Sequence, residues 1–322
     1  MRNHLRMWMA GAIVGVVAAA GIFAGEALGN AAQGQADPNA VTVTVTVTGK
    51  GNSAPPAVPK DEVVARQAGK VRPVLAWEPG QAGARGLDLV ILIDDELPPK
   101  VASRWEDFEK FVTELPANVH VGIAYANKGD VKFAQQPTTN HEAAAKAFHD
   151  PANIDFRYDA IYASLSNLAR IWPNNQNRHE ILLLSSGYDQ PTASGTMDPA
   201  QSIPVQAAVT DLQGKGIVVY SFYANLSSQP QNVSVMEVQW GQGGLEQVST
   251  TTGGKVFSMG DGTPPSFQPF LQELLQLLGQ QYSLTFQAQP LGKAGLAAFE
   301  VKVENNGVQV HAPTRVFVPG GK

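Results

Sequence analysis

Three consecutive acids, Asp94-Asp95-Glu96, follow the apolar run Leu87–Ile93, which only Asp88 interrupts. An aspartate at the end of a buried strand suggests an aspartyl phosphatase, but that chemistry expects Asp-x-Asp, and Glu96 breaks the pattern. Ser185-Ser186-Gly187 closes a second apolar run, Ile181–Leu184, without the Gly-x-Ser-x-Gly elbow that exposes a nucleophile. His141, His149 and His179 have the acidic neighbours Glu142, Asp150 and Glu180, yet no His-Glu-x-x-His spacing sets two imidazoles on one helix face. They read as solvated helix or strand-end residues. Gly241-Gln242-Gly243-Gly244 lacks the preceding strand and the lysine of a phosphate loop, so it reads as a turn. Met236 and Trp240 are read in the long loop before it. No complete catalytic constellation is present.

The elements that must position these residues alternate. Leu87–Ile93, Val119–Tyr125, Ile181–Leu184 and Ile217–Phe222 are apolar on both faces, the pattern of strands in a parallel sheet. Between them, Val101–Leu115, Tyr158–Ile171, Ile203–Lys215, Leu245–Thr252 and Phe267–Leu278 have helical spacing. Val131–Phe133 reads as a short edge strand and Val256–Phe257 as a last short strand. The order predicts an α/β fold with a doubly wound, mostly parallel sheet. The flanks are β. Val41–Thr48 alternates Val and Thr without a break, and Glu62–Arg66 and Val71–Trp77 follow. Tyr282–Gln289, Ala298–Glu304, Val308–Val310 and Arg315–Val318 alternate in the same way, with Asn305-Asn306-Gly307 predicting a tight hairpin.

Composition bounds the function. Hydrophobic residues make up 43% of the 322 and charged residues 16%, enough to bury a core. A net charge of −5 with no basic run argues against a nucleic-acid partner. The absence of cysteine removes disulfides, thiolate metal sites and a cysteine nucleophile. Arg2 and Arg6 precede an apolar run, Met7–Gly25, after which Gly29, Ala32 and Ala36 offer cleavage positions. The run also just reaches membrane-spanning length, so an uncleaved anchor competes with a signal peptide. Either way the body is exported, as a secreted, periplasmic or cell-envelope protein, with membrane contact only through an uncleaved leader. The expected organisation is a leader over 1–36, a small β module over 37–79, a hinge over 80–86, the α/β domain over 87–280 and a β segment over 281–322.

Four stretches resemble von Willebrand factor type A domain proteins, in particular the secreted family typical of acidobacteria. They are Val90-Ile91-Leu92-Ile93-Asp94-Asp95, Tyr158-Asp159-Ala160-Ile161-Tyr162, Leu182-Leu183-Leu184-Ser185-Ser186-Gly187 and Thr252-Gly253-Gly254-Lys255-Val256-Phe257. The resemblance spans roughly residues 41–318 and implies a metal-ion-dependent adhesion site at the carboxyl end of the sheet. There an Asp-x-Ser-x-Ser loop, a Thr and an Asp bind Mg²⁺ or Ca²⁺, and a partner's acidic residue completes the sphere.

Here the implied ligand set is altered. Asp94 survives; Glu96 and Pro98 replace the two serines, Asp155 the threonine and Ser186 the aspartate. Two readings follow. Either the site is dead and the acids form a solvated loop, or Asp94, Glu96 and Asp155 form a rearranged cluster that holds a divalent cation. Carboxylates so gathered repel and raise one another's pKa unless a cation joins them or the loop splays. The resemblance implies a non-catalytic adhesion protein that meets a protein or other macromolecule through Asp94, Asp95, Glu96, Asp155 and Ser186, with Asp189 at the rim. Its alternatives are a structural component of a cell-envelope assembly with a vestigial metal site, and a metal-dependent hydrolase. The hydrolase requires a deep pocket at Asp94.

Overall fold

A strand that is apolar on both faces needs helices on both sides, and the central strand has them. In the computed structural model, which describes residues 37–50, 55–80, 85–152, 160–189, 199–225, 235–260 and 262–321, this strand is β5, Leu87–Asp94. β6 (Val119–Asn127) and β8 (Arg178–Ser185) flank it in parallel. β9 (Ile217–Tyr223) and β10 (Val256–Phe257) continue the parallel run beyond β8. β7, Asp130–Thr138, closes the other edge antiparallel to β6 and is longer than the expected Val131–Phe133. The six-stranded order is β10-β9-β8-β5-β6-β7, so chain order reverses between β5 and β8. That is a doubly wound sheet with one antiparallel edge.

Leu89, Ile91 and Ile93 pack with Phe108 of α1 (Trp105–Glu114) and Leu274 of α6 (Gln268–Gly279). Val90 and Leu92 face the other way, against Leu165 of α3 (Ile161–Ile171), Leu212 of α4 (Ile203–Lys215) and Leu245 of α5 (Val235–Thr252). Ile91 and Leu92, fully buried on opposite faces, contribute about 1.5–3 kcal/mol each. α2, His141–Ala145, completes the helices used here.

The two β flanks are separate in sequence and joined in space. β1 (Ala40–Gly49) pairs with both β11 (Gln281–Gln287) and β13 (Val308–His311), and β4 (Val74–Pro79) completes that sheet. β2 (Val63–Gln67), β3 (Lys70–Arg72), β12 (Gly295–Val303) and β14 (Arg315–Val318) form a second four-stranded sheet. Val45, Val47, Ala65, Leu284, Phe286, Phe299 and Val301 fill the core between the sheets. The Asn305–Gly307 turn forms, with Gly307 N donating to Asn305 Oδ1 at 2.9 Å. It is not a hairpin. β12 and β13 belong to different sheets, because Phe299 and Val308 both point into the shared core and must approach it from opposite sides.

Buried polar side chains join the sandwich to the α/β body at the amino end of its sheet. Arg178 Nη1 donates to Gln281 Oε1, Gln281 Nε2 to Tyr220 Oη at 3.0 Å, and Tyr220 Oη meets Thr46 Oγ1 at 3.3 Å. Glu180 is fully buried, its Oε1 4.0 Å from Arg178 Nη1. The described ends of the expected hinge are tied here. Gly80 N donates to Gln281 O at 2.6 Å and Arg85 Nε to Gln176 O at 2.6 Å.

Candidate functional site

At the carboxyl end of β5 and β8 the switch point leaves a gap where side chains of both strands meet, the place where doubly wound sheets bind ligands. Ile93 pairs with Leu184, so Asp94 and Ser185 are the next residues of adjacent strands. Ser185 Oγ donates to Asp94 Oδ2 at 2.7 Å. Asp94 Oδ1 accepts from Glu96 N at 3.1 Å, which closes an Asx turn. Ser185 Oγ in turn accepts from Gly187 N at 2.9 Å, and Gly187 has φ of +69°, a conformation that glycine adopts freely. Asp94 and Ser185 are both fully buried. Burial pushes the Asp94 carboxyl up to about 7, and the Glu96 and Asp95 charges add to this, against the lowering hydrogen bonds from Ser185 and the Glu96 N–H.

Asp95 points to the other side. Its Oδ1 accepts from Ala152 N at 2.6 Å and its Oδ2 from Asn127 Nδ2 at 2.9 Å. Tyr125 steadies the same segment: its hydroxyl donates to His149 O at 2.8 Å and accepts from His149 N at 2.7 Å. Ser186 Oγ accepts from Tyr188 N at 3.1 Å. Asp189 bridges to Ala160 at the start of α3, and burial pushes its carboxyl up to about 7 against a lowering bond from the Tyr162 backbone N–H.

The expectation of an exposed or splayed acidic edge is corrected here. Asp94, Asp95, Glu96, Ser186 and Asp189 are all buried, and Asp189 is not at a rim. The cause for Asp94 and Asp95 lies in the backbone: Glu96 N–H and Ala152 N–H reach carboxylates that would otherwise need water. Asp155 lies outside the described residues.

Asn127, Ala152 and Tyr125 were not legible as site residues, since a backbone N–H and a strand-end amide carry no pattern. The Gly241–Gly244 turn is also corrected: these residues are the interior of α5, which begins at Val235, ten residues before the expected Leu245. Met236 and Trp240 are therefore helical. A Cβ on Gly241 would lie 2.6 Å from Ser186 O, and one on Gly244 1.9 Å from Tyr162 Oη. Each glycine costs an exposed helix about 1 kcal/mol relative to alanine. In return the helix reaches the strand-end loop.

Among the described residues the donors do not fit the implied divalent cation. Both Asp95 oxygens, both Asp94 oxygens and the Ser185 hydroxyl are engaged with protein donors, and Pro98 offers no side-chain ligand. Hard cations take six or more oxygens. Among the described residues no three of His, Cys, Asp and Glu are grouped to hold a metal. His141 Nε2 lies 2.9 Å from Val119 O, His149 stacks on Tyr125 and His179 Nε2 lies 2.9 Å from Asn175 Oδ1, so all three serve the scaffold. A cavity of about 20 Å³ lined by Tyr162, Tyr188, Asp189 and Trp240 opens beside the switch point. That is room for one water.

The fold and the site thus define an α/β protein with a doubly wound, mostly parallel sheet and a hydrogen-bonded acidic turn at its switch point. No protein-family model and no curated protein matches the chain. Solved structures with a similar fold include BatB from Bacteroides thetaiotaomicron, at 14% identity and a TM-score of 0.44, over 60% of this chain and 97% of that one. An aerotolerance-related membrane protein from Bacteroides fragilis gives 15% and 0.42, over 60% and 98%. The vWF domain of the type V pili tip protein Mfa5 from Porphyromonas gingivalis gives 9% and 0.41, over 61% and 95%. At such values the likeness carries no argument about activity or partners.

Proposed function

We propose that this chain is an exported, non-catalytic A-domain-like protein, of the secreted type found in acidobacteria, that binds a protein through the carboxyl edge of its sheet. The observation that carries this is where its exposed apolar side chains sit. Ile203 (77% exposed), Val235 (74%), Met236 (55%) and Met259 (58%) are half of the eight exposed large hydrophobics among the described residues. Ile203 opens α4, Val235 and Met236 open α5, and Met259 follows β10, so all four stand at one end of the sheet. Scattered singly such residues mean little; gathered at one end they suit a protein partner. Export rests on the apolar leader within 1–36. The absence of catalysis is supported by the burial of Ser185, whose hydroxyl is given to Asp94 and cannot meet a substrate.

A photoreactive amino acid placed at position 203, 236 or 259 of the full chain, in the cells that make it, tests the reading. Adducts with one protein species from these positions, and none from position 71 or 171, are expected. Equal labelling from all five positions, or none from the first three, would overturn it.

A further inference from the structure

We infer that Asp94 and Asp95 act as hydrogen-bonded clasps that order the carboxyl end of the sheet without a divalent cation. In the family this chain resembles, a cation gathers three loops by binding one oxygen donor or more from each. Here protein contacts join the first of these loops to neighbouring strand ends and to the segment after α2. Asp94 joins the first loop to the end of β8 through Ser185 Oγ, 2.7 Å away. Asp95 joins it to the segment after α2 through Ala152 N at 2.6 Å, and to the end of β6 through Asn127 Nδ2 at 2.9 Å. Two adjacent side chains pointing opposite ways thus tie three strand ends together.

The chemistry sets the two arrangements in competition. A cation at Asp94 needs carboxylate and hydroxyl lone pairs turned toward it. Those of Asp94 point at Ser185 and at Glu96 N, while Ser185 Oγ also accepts from Gly187 N at 2.9 Å. Pro98 supplies nothing in place of a hydroxyl. Full burial of Asp94 and Ser185 strengthens the clasp, because water does not compete for the donors. The inference concerns how the edge is ordered and stands apart from whether the edge binds a partner.

Three amides report the clasps directly: Glu96 N–H on Asp94, Gly187 N–H on Ser185 and Ala152 N–H on Asp95. Hydrogen exchange on the full-length protein should find all three protected in chelator, with rates unchanged by excess Mg²⁺, Ca²⁺ or Mn²⁺. The thermal midpoint should likewise be the same in chelator and in each cation. Ser185→Ala should speed exchange at Gly187 about tenfold, the loss of one buried hydrogen bond. Protection that appears only with a cation would overturn the inference, as would a midpoint raised by a cation in wild type and not in Asp94→Asn. If Ser185→Ala does not fold, the wild-type comparison decides alone.

Discussion

Asp95 holds the backbone of Ala152 at 2.6 Å across 57 residues of sequence. This contact closes the path from α2 back to the carboxyl end of the sheet, so the segment that leads toward α3 starts from a fixed point. Asp95→Ala leaves the Ala152 N–H and the Asn127 amide without their acceptor. The expected loss is about 1–3 kcal/mol, the cost of orphaned donors rather than of a surface bond. Urea unfolding of wild type, Asp95→Ala and Asp95→Asn checks this. Asn keeps one acceptor and should fall between the other two; an Ala variant as stable as wild type would mean that water replaces the contact.

Tyr162 and Gly244 form a second fixed pair. The hydroxyl donates to Gly187 O at 3.1 Å, and the same oxygen occupies the space a Gly244 side chain would fill. Gly244→Ala should destabilise by about 1–3 kcal/mol through overpacking, although alanine favours the helix itself. In a Tyr162→Phe background the clash with Oη is gone, so the added methyl should cost less. A double-mutant cycle measures the coupling. Strict additivity would show that the glycine serves something other than this approach.

That pair also shows where sequence reading stops. The sheet was legible because the short apolar runs Leu89–Ile93, Ile181–Leu184 and Ile217–Phe222 recur between helical patterns and are too brief for buried helices, and these segments are buried on both faces. The ends of those runs located Asp94 for the same reason, but the serine assigned to the site was Ser186, whereas it is Ser185 that meets Asp94. Local propensity misled at Gly241–Gly244, where glycines read as a turn but serve close packing against Ser186 and Tyr162. The hairpin at Asn305–Gly307 failed similarly: the turn chemistry was right, and the partner of each strand was decided by the core around Phe299. Nor could spacing show that Asp94 and Asp95 point apart. That depends on donors from Ser185 and Ala152, distant in sequence.

Glu180 makes stability depend on pH in the direction opposite to a surface salt bridge. Burial pushes its carboxyl from an ordinary 4.5 up to about 7, against the lowering effect of Arg178 and a bond from Gln281. Between those values the folded protein retains a proton that the unfolded chain has released. Stability therefore falls as pH rises from about 4.5 to about 7 and levels off above, by on the order of 3 kcal/mol. Asp94 and Asp189, raised to the same region, slope the same way. Glu180→Gln mimics the protonated form and should flatten this share of the slope. Denaturant unfolding at pH 5 and pH 8 gives the comparison; identical slopes in the two proteins would exclude Glu180 as a contributor.

The two β flanks should unfold as one body, because Phe286 of β11 and Phe299 of β12 stack across the sandwich with centroids 4.8 Å apart. Both belong to the trailing segment, yet their core neighbours Val45, Val47 and Ala65 come from the leading one. Phe299→Ala should cost about 3–5 kcal/mol, the range for a large aromatic removed from a packed core. The informative readout is where protection is lost. Amides of β1, more than 200 residues earlier in the chain, should exchange faster together with those of β12, since among the described residues β1 has only β11 and β13 as strand neighbours. The β5 amides, packed between helices on both faces, should keep theirs. Loss confined to β12 and β14 would show that the leading strands hold together without the shared core.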